Sequence, residues 1–215
     1  MLQASKIDKK PIVLDIGTGT NCIYPLLGHA EYNWSFVASD CDETAIAFAE
    51  KIIRENKLTE VVELRKQKEQ EHVLKNIIAQ TDRFEASMCN PPFYKSELEA
   101  FEATNRKLKG LGKESSSFTR NFAGQANELW YKGGEKAFLH TYLYESSFFK
   151  KQCFWYTSLV SNKAHIKSMY TSLTKLGATC IKTIDMAQGN KKSRVVAWSF
   201  LTEKEQNNWV RNNRL

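Results

Sequence analysis

The 215-residue chain has no stretch near 18 consecutive apolar residues, which leaves no candidate membrane span. Met1 to Lys10 carries three lysines but no following hydrophobic run that ends in small residues, so a secretory leader is not expected either. The five cysteines (Cys22, Cys41, Cys89, Cys153 and Cys180) are scattered, odd in number and free of CxxC spacing. That argues against a disulfide framework and a structural zinc site, and makes a reducing cytoplasm the expected location. The four histidines are equally dispersed, with neither an HxxxH pair nor HExxH, so no bound metal is expected. Low-complexity segments and internal repeats are lacking too. With 42% hydrophobic and 26% charged residues, collagen-like, mucin-like and fully disordered chains are excluded.

What is present suits one compact unit over residues 1–215, a monomer by expectation. Twelve Phe, eight Tyr and five Trp supply core filling, and the surplus charge of +7 favours an anionic partner such as nucleic acid. Pro11 to Ile16 is a short β-branched run that stops at Gly17-Thr-Gly-Thr20, a buried strand feeding a glycine turn. Helical spacing is expected over Cys22–Leu27 and Asp42–Asn56, the latter with Asp42 as N-cap, and further strands over Trp34–Ser39, Val61–Leu64 and Phe84–Cys89. A helix is expected over Gln70–Ala79. This alternation is the signature of a doubly wound parallel sheet.

Residues 94–125 break the rhythm and read as a long mobile, substrate-facing loop. Helices over Gly134–Phe149 and Lys163–Leu176 then flank a strand over Cys153–Val160. Thr179–Met186 and Val195–Leu201 form a terminal pair joined by a turn-rich, basic connection from Ala187 to Arg194, as a hairpin tip would be. Trp34, Trp155 and Trp198 fall within expected strands and are assigned to the core. Trp130 is a candidate for shaping the substrate pocket, and Glu135 is read as an acidic partner of its own helix N-terminus.

Two constellations carry chemistry. In the first, Asp15, Gly17, Thr18, Gly19 and Asn21 follow a strand, and Asp40 closes the next one. In a doubly wound sheet the glycines let backbone approach a nucleotide, and a carboxylate ending the second strand accepts ribose hydroxyls. Cys22 stands where a third glycine would serve a pyrophosphate, which favours a nucleoside cofactor without phosphates; a plain tight turn is the alternative. The second is Asn90-Pro91-Pro92-Phe93 at the exit of the fourth strand. Two prolines fix φ and remove two amide donors, so the backbone leaves the sheet in a rigid arch that presents acceptors. The Asn90 amide oxygen with a proline carbonyl offers two acceptors to a planar NH₂ group, and Phe93 offers a stacking face.

Together these match amino-methyltransferases dependent on S-adenosyl-L-methionine. More narrowly, the chain resembles the family of the large-subunit ribosomal RNA adenine-N6 methyltransferase RlmF and methyltransferase-like protein sixteen. The resemblance rests on the segments 14–28, 88–93, 121–130, 133–135, 155–161, 186–189 and 197–200. It implies a Rossmann-like class I fold: a mostly parallel seven-stranded sheet with an antiparallel terminal hairpin strand and helices on both faces. It also implies transfer of a methyl group to the exocyclic N6 of an adenine in ribosomal RNA. Asn90, Pro91, Pro92 and Phe93 would then be catalytic, and Asp15, Gly17, Thr18, Gly19, Asn21, Asp40 and Asn90 would hold the cofactor. Lys191, Lys192 and Arg194 at the hairpin are the expected phosphate contacts, with Lys95, Arg106, Lys107, Lys109, Lys113 and Arg120 of the long loop as further candidates. Family members carry a longer N-terminal segment than the dozen residues ahead of this first strand, so that segment is expected to be missing. The arch alone leaves guanine-N2 methylation open, and a catalytically silent RNA-binding relative is the reading from another class.

Overall fold

The computed structural model describes residues 10–110, 130–188 and 191–212. Its strands are β1 (Ile12–Ile16), β2 (Ser35–Asp40), β3 (Val62–Lys66), β4 (Phe84–Cys89), β5 (Cys153–Val160), β6 (Cys180–Gln188) and β7 (Lys191–Ser199). Its helices are α1 (Ile23–Tyr32), α2 (Glu43–Glu55), α3 (Glu97–Gly110), α4 (Gly134–Ser146), α5 (Ala164–Leu176) and α6 (Glu203–Asn212). The sheet order is β3-β2-β1-β4-β5-β7-β6. The first five of these strands run parallel, and β7 lies antiparallel between β5 and β6. The class I architecture expected from the sequence is therefore present, and the strand order reverses between β1 and β4, where such sheets open a crevice.

Side-chain alternation along β1 divides the core. Leu14 and Ile16 point to one face, where Phe138, Leu139, Tyr142 and Leu143 of α4 and Met169 and Leu173 of α5 bury them. Val13 points to the other, against Ala49 and Ile53 of α2 with Phe36, Ala38 and Val62. Further along that second face, Trp209 and Val210 of α6 pack on Ala86, Phe154 and Ala197. Asp42 caps α2 as expected, its side chain accepting from the Ala45 N–H at 2.8 Å. Gly28 lets α1 lie directly on β2: a Cβ there would come within 2.4 Å of Phe36 Cζ. Trp198 stacks on Tyr156 at 5.7 Å and meets Tyr142 edge-on at 5.1 Å, and its indole N–H donates to Ser146 Oγ at 3.0 Å. Trp155 and Trp198 are buried as expected, whereas Trp34 precedes β2, is half-buried and stacks on Tyr32.

Three expectations need correction. The helix expected over Gln70–Ala79 is a chain of turns. The amides of Val73, Leu74 and Lys75 all donate to Glu145 Oε2 of α4, at 2.9, 2.6 and 3.0 Å, and Asn76 takes a positive φ, so these amides serve a carboxylate rather than a helical ladder. His72 Nδ1 meets the other Glu145 oxygen at 2.7 Å. Glu145 is 1% exposed, so Glu145→Gln, which turns an acceptor oxygen into a donor facing other donors, is expected to lower unfolding free energy by about 2–3 kcal/mol in urea titration.

Next, residues 94–125 are not all loop, since α3 occupies Glu97–Gly110; residues 111–125, with Lys113 and Arg120, lie outside the described residues. Helix α3 begins with the Ser96 hydroxyl accepting from the Glu99 N–H and the Glu99 carboxylate accepting from the Lys95 N–H. Lastly, the hairpin is tighter than the Ala187–Arg194 connection expected. Its strands pair to Gln188↔Lys191, and Arg194 sits within β7 opposite Val160 of β5 and Asp185 of β6, not at the tip. Residues 189–190 lie outside the described residues. Helix α6, for which no expectation was drawn, packs its Trp209 beside Phe154.

Candidate cofactor and substrate cleft

β1 ends because Gly17 and Gly19 adopt φ of +73° and +65°, a region that favours glycine. The amides of Gly17 and Thr18 both donate to the Ser39 carbonyl, at 2.9 and 3.0 Å, which stitches the turn to the end of β2. The Asp40 carboxylate completes the seam, accepting from Gly19 N–H and Asp42 N–H, each at 2.9 Å. Burial pushes the Asp40 pKa up, and those backbone bonds oppose the rise. A Cβ built on Gly17 would meet nothing within 4 Å, so the backbone at this point faces open space.

That space is a cleft of about 640 Å³, open solvent included, at the reversal of strand order, where such sheets take their ligands. Gly17, Ser39, Asp40 and Cys41 form one side of its lining, with Gln67, Gln70, His72 and Val73 from the turns after β3. Asn90 and Pro92 of the arch, with Trp130, Tyr131 and Phe138, complete it. Asn90 is exposed, and none of the described residues hydrogen-bonds its side chain. The Trp130 indole N–H is buried without a partner.

The exit of the arch is fixed by local backbone chemistry. Tyr94 bridges to Trp130, the Tyr131 N–H donates to the Tyr94 carbonyl at 3.0 Å, and the Gly134 N–H closes a turn onto the Tyr131 carbonyl at 2.7 Å. Gly134 holds φ +71°, and a Cβ there would lie 2.9 Å from Lys95 Cγ, two residues beyond Phe93. Gly134→Ala is therefore expected to lower stability by about 1–2 kcal/mol through a left-handed strained backbone, read as a shift in the denaturation midpoint. The neighbouring Glu135 is acidic in the first turn of α4, as expected, but its carboxylate is hydrogen-bonded to another element. It is buried and accepts from Ser161 and Asn162 amides at 2.6 and 3.3 Å, with His165 Nε2 at 3.4 Å, tying α4 to the end of β5.

Of the residues expected from sequence, Gly17, Asp40, Asn90 and Pro92 meet in this one cleft. Gly19 braces it through Asp40, and Thr18 is buried with its hydroxyl toward Cys22 Sγ at 3.5 Å. Asp15 is fully buried and is not among the lining residues; neither of its carboxylate oxygens has a hydrogen-bond partner. Burial, offset in part by the nearby Thr18 hydroxyl and reinforced by the Asp40 charge, pushes its pKa up to about 7. Asn21 is exposed and outside the lining, Pro91 is buried, and Phe93 is 40% exposed beside the cleft. Lys191 and Lys192 open β7.

The wall from Gln67 to Val73 and the residues Tyr131 and Phe138 went unassigned in the sequence. The one available signal was position, because the loops after the first strands of such a sheet face its crevice. Among the described residues no cluster of His, Cys, Asp and Glu is arranged to hold a metal ion, and no helix is long and apolar enough to cross a membrane.

A family model described as RNA methyltransferase matches residues 1–202. The ribosomal RNA large subunit methyltransferase F of Flavobacterium johnsoniae is 48% identical over 200 residues, covering 91% of this chain and 63% of that protein. Its namesake from Shewanella woodyi is 47% identical over 212 residues, covering 92% and 56%. The chain thus spans about three fifths of the length of these relatives. Among solved structures, the N-terminal domain of human METTL16 in complex with SAH is 25% identical with a TM-score of 0.69, covering 93% of this chain and 65% of that one. The hMettl16 catalytic domain in complex with the MAT2A 3′UTR hairpin 6 is 26% identical with a TM-score of 0.73, covering 94% and 68%. With a family model spanning nearly all of it and relatives at close to half identity, the chain belongs to the RNA methyltransferase family.

Proposed function

We propose that the chain transfers a methyl group from S-adenosyl-L-methionine to the exocyclic N6 of an adenine in large-subunit ribosomal RNA. The observation that carries this reading is the meeting of Gly17, Asp40, Asn90 and Pro92 in one cleft, with the Asn90 amide uncommitted. The residues fit the cofactor. Open space over Gly17 admits a nucleoside against bare backbone, Asp40 stands where a ribose hydroxyl would donate, and the absence of a third glycine suits a ligand without pyrophosphate. When bound, S-adenosylmethionine supplies an electrophilic methyl on a sulfonium.

The chain's own residues then have a limited task. Adenine's amino nitrogen is a poor nucleophile because its lone pair is delocalised into the ring. Asn90, with the Pro91 carbonyl, would accept both N–H groups and favour a pyramidal nitrogen with its lone pair available. Methylation would leave a surplus proton on the amino nitrogen, which water can take, so the site needs no strong base. Alignment of this kind is worth about 7–11 kcal/mol in well-oriented systems, and acceptors placed where positive charge develops add to it. Phe93, 40% exposed beside the cleft, offers its face to an unstacked base, offsetting part of the few kcal/mol that extrusion costs.

The test is a labelled-methyl assay on unmodified large-subunit ribosomal RNA followed by nucleoside analysis. Label in N6-methyladenosine is the expected result. Label in N2-methylguanosine would move the assignment to guanine, and RNA binding without S-adenosylhomocysteine binding would mark a silent relative.

A further inference from the structure

A second concavity lies away from the cleft, between α5 and the β6–β7 pair, and encloses about 1140 Å³ open to solvent. Its walls carry Lys163, Lys167 and Tyr170 on the helix side and Thr183, Asp185 and Arg194 on the sheet side. Three cations thus face one carboxylate. Arg194 sits deep, its side chain 17% exposed, with Nε 3.3 Å from Asp185, whose own side chain is 87% exposed and turned outward. The Tyr170 and Thr183 hydroxyls meet at 3.0 Å across the groove and add neutral donors. Lys182, on the opposite side of β6, lies over the Trp155 ring and belongs to the other face.

The sheet register places this groove relative to the cleft. Arg194 pairs with Val160, the last residue of β5, and α5 starts four residues later. The groove therefore opens on the same rim at which β1 and β4 end and the cleft lies. Three strand spacings of about 4.8 Å separate β4 from β6 in the order β4-β5-β7-β6, so one polynucleotide strand can reach both. The groove offers three cations, and the hydroxyl of Tyr170, the aromatic among its lining residues, is tied to Thr183, a surface that suits phosphates rather than bases.

We infer that this groove is a phosphate-backbone track: Lys163, Lys167 and Arg194 hold the ribose-phosphate strand flanking the nucleotide that enters the cleft. The inference rests on the RNA-methyltransferase reading and deepens it by assigning α5 to the substrate surface. It also moves the phosphate contact of Arg194 from a hairpin tip to the floor of a groove, where binding requires exchange of Asp185 for phosphate.

The test compares the full chain with a Lys163→Gln/Lys167→Gln double variant and with a control, Lys175→Gln/Lys204→Gln, that removes equal charge at the opposite end of the sheet. Both lysines in the groove are exposed, so unchanged thermal melts are expected. Affinity for unmodified large-subunit ribosomal RNA is titrated over a salt series. The groove variant is expected to bind about tenfold more weakly, with a salt slope shallower by roughly 1.4–1.8, at 0.7–0.9 per lost phosphate contact. The control is expected to lose much less. Asp185→Asn is expected to bind more tightly than the unchanged chain.

Equal losses in both double variants would reduce the effect to bulk charge and overturn the inference. So would a groove variant that keeps its affinity and slope, or an Asp185→Asn variant that binds no better. If the unchanged chain itself shows no salt-dependent RNA binding, the underlying reading fails, which is a different result from failure of the groove alone.

Discussion

Asn90→Ala is expected to lower methyl transfer about a thousandfold, near 4 kcal/mol of lost transition-state stabilisation, with a far smaller loss of S-adenosylhomocysteine affinity, since Asn90 is only one of the residues expected to hold the cofactor. The asymmetry follows from the two jobs the cleft divides. The glycine turn and Asp40 are held by backbone bonds to Ser39, Gly19 and Asp42, none of which involves Asn90. The side chain of Asn90 is free of partners among the described residues, so its removal leaves no buried donor stranded and should not disturb the fold. What is lost is one of two acceptors for the target amine. Rates from the labelled-methyl assay and calorimetric affinities on the same preparation decide the matter. Equal losses in both would refute the assignment of Asn90 to the target nitrogen.

Asp15→Asn should have the opposite character, stabilising the protein above neutral pH. The carboxyl is fully buried and its oxygens lack partners, and its pKa rises from 3.8 to about 7. Below about pH 4 both folded and unfolded chains hold this proton, and the carboxyl carries no penalty. Between about pH 4 and pH 7 the unfolded chain ionises while the folded one resists, so stability falls as pH rises, and it levels off above 7. At 1.36 kcal/mol per unit, the total is about 4 kcal/mol. An asparagine has no proton to lose. The variant should therefore match the unchanged chain in urea titrations near pH 4 and exceed it by about 4 kcal/mol at pH 8. A gap independent of pH would contradict the burial of an orphaned carboxyl behind the turn.

The seven strands were legible because apolar, β-branched runs such as Ile12–Ile16 and Cys153–Val160 are bounded by turn residues, and because Asp42 announces α2. Helices α3 and α6 were not, since each is polar overall and carries few apolar residues. Their starts were nonetheless written in the chain. Ser96 accepts from the Glu99 N–H, and Thr202 with Glu205 is a reciprocal capping pair, the Thr202 N–H donating to Glu205 Oε2 at 2.9 Å. The error over Gln70–Ala79 runs the other way. Val73, Leu74, Ile77 and Ile78 are all buried, but they are spaced as a helix would space them while a distant carboxylate, Glu145, takes their amides.

The cleft divides along the same line. Gly17, Asp40 and Asn90 were readable because glycine conformation and strand-end carboxylates are local signals. Gln67, His72, Tyr131 and Phe138 reach the cleft through the packing of α4 and of the turns after β3, which no local pattern records. Arg194 was misplaced because charge density near a hairpin says nothing of register, and the register puts it opposite Val160.

The central claim is that glycine turn and proline arch face one ligand. A crystal structure with S-adenosylhomocysteine tests it most directly. The ribose is expected within hydrogen-bond distance of Asp40, with the sulfur turned toward the Asn90 side chain. A ligand bound outside this cleft, or one whose sulfur points away from the arch, would contradict the account.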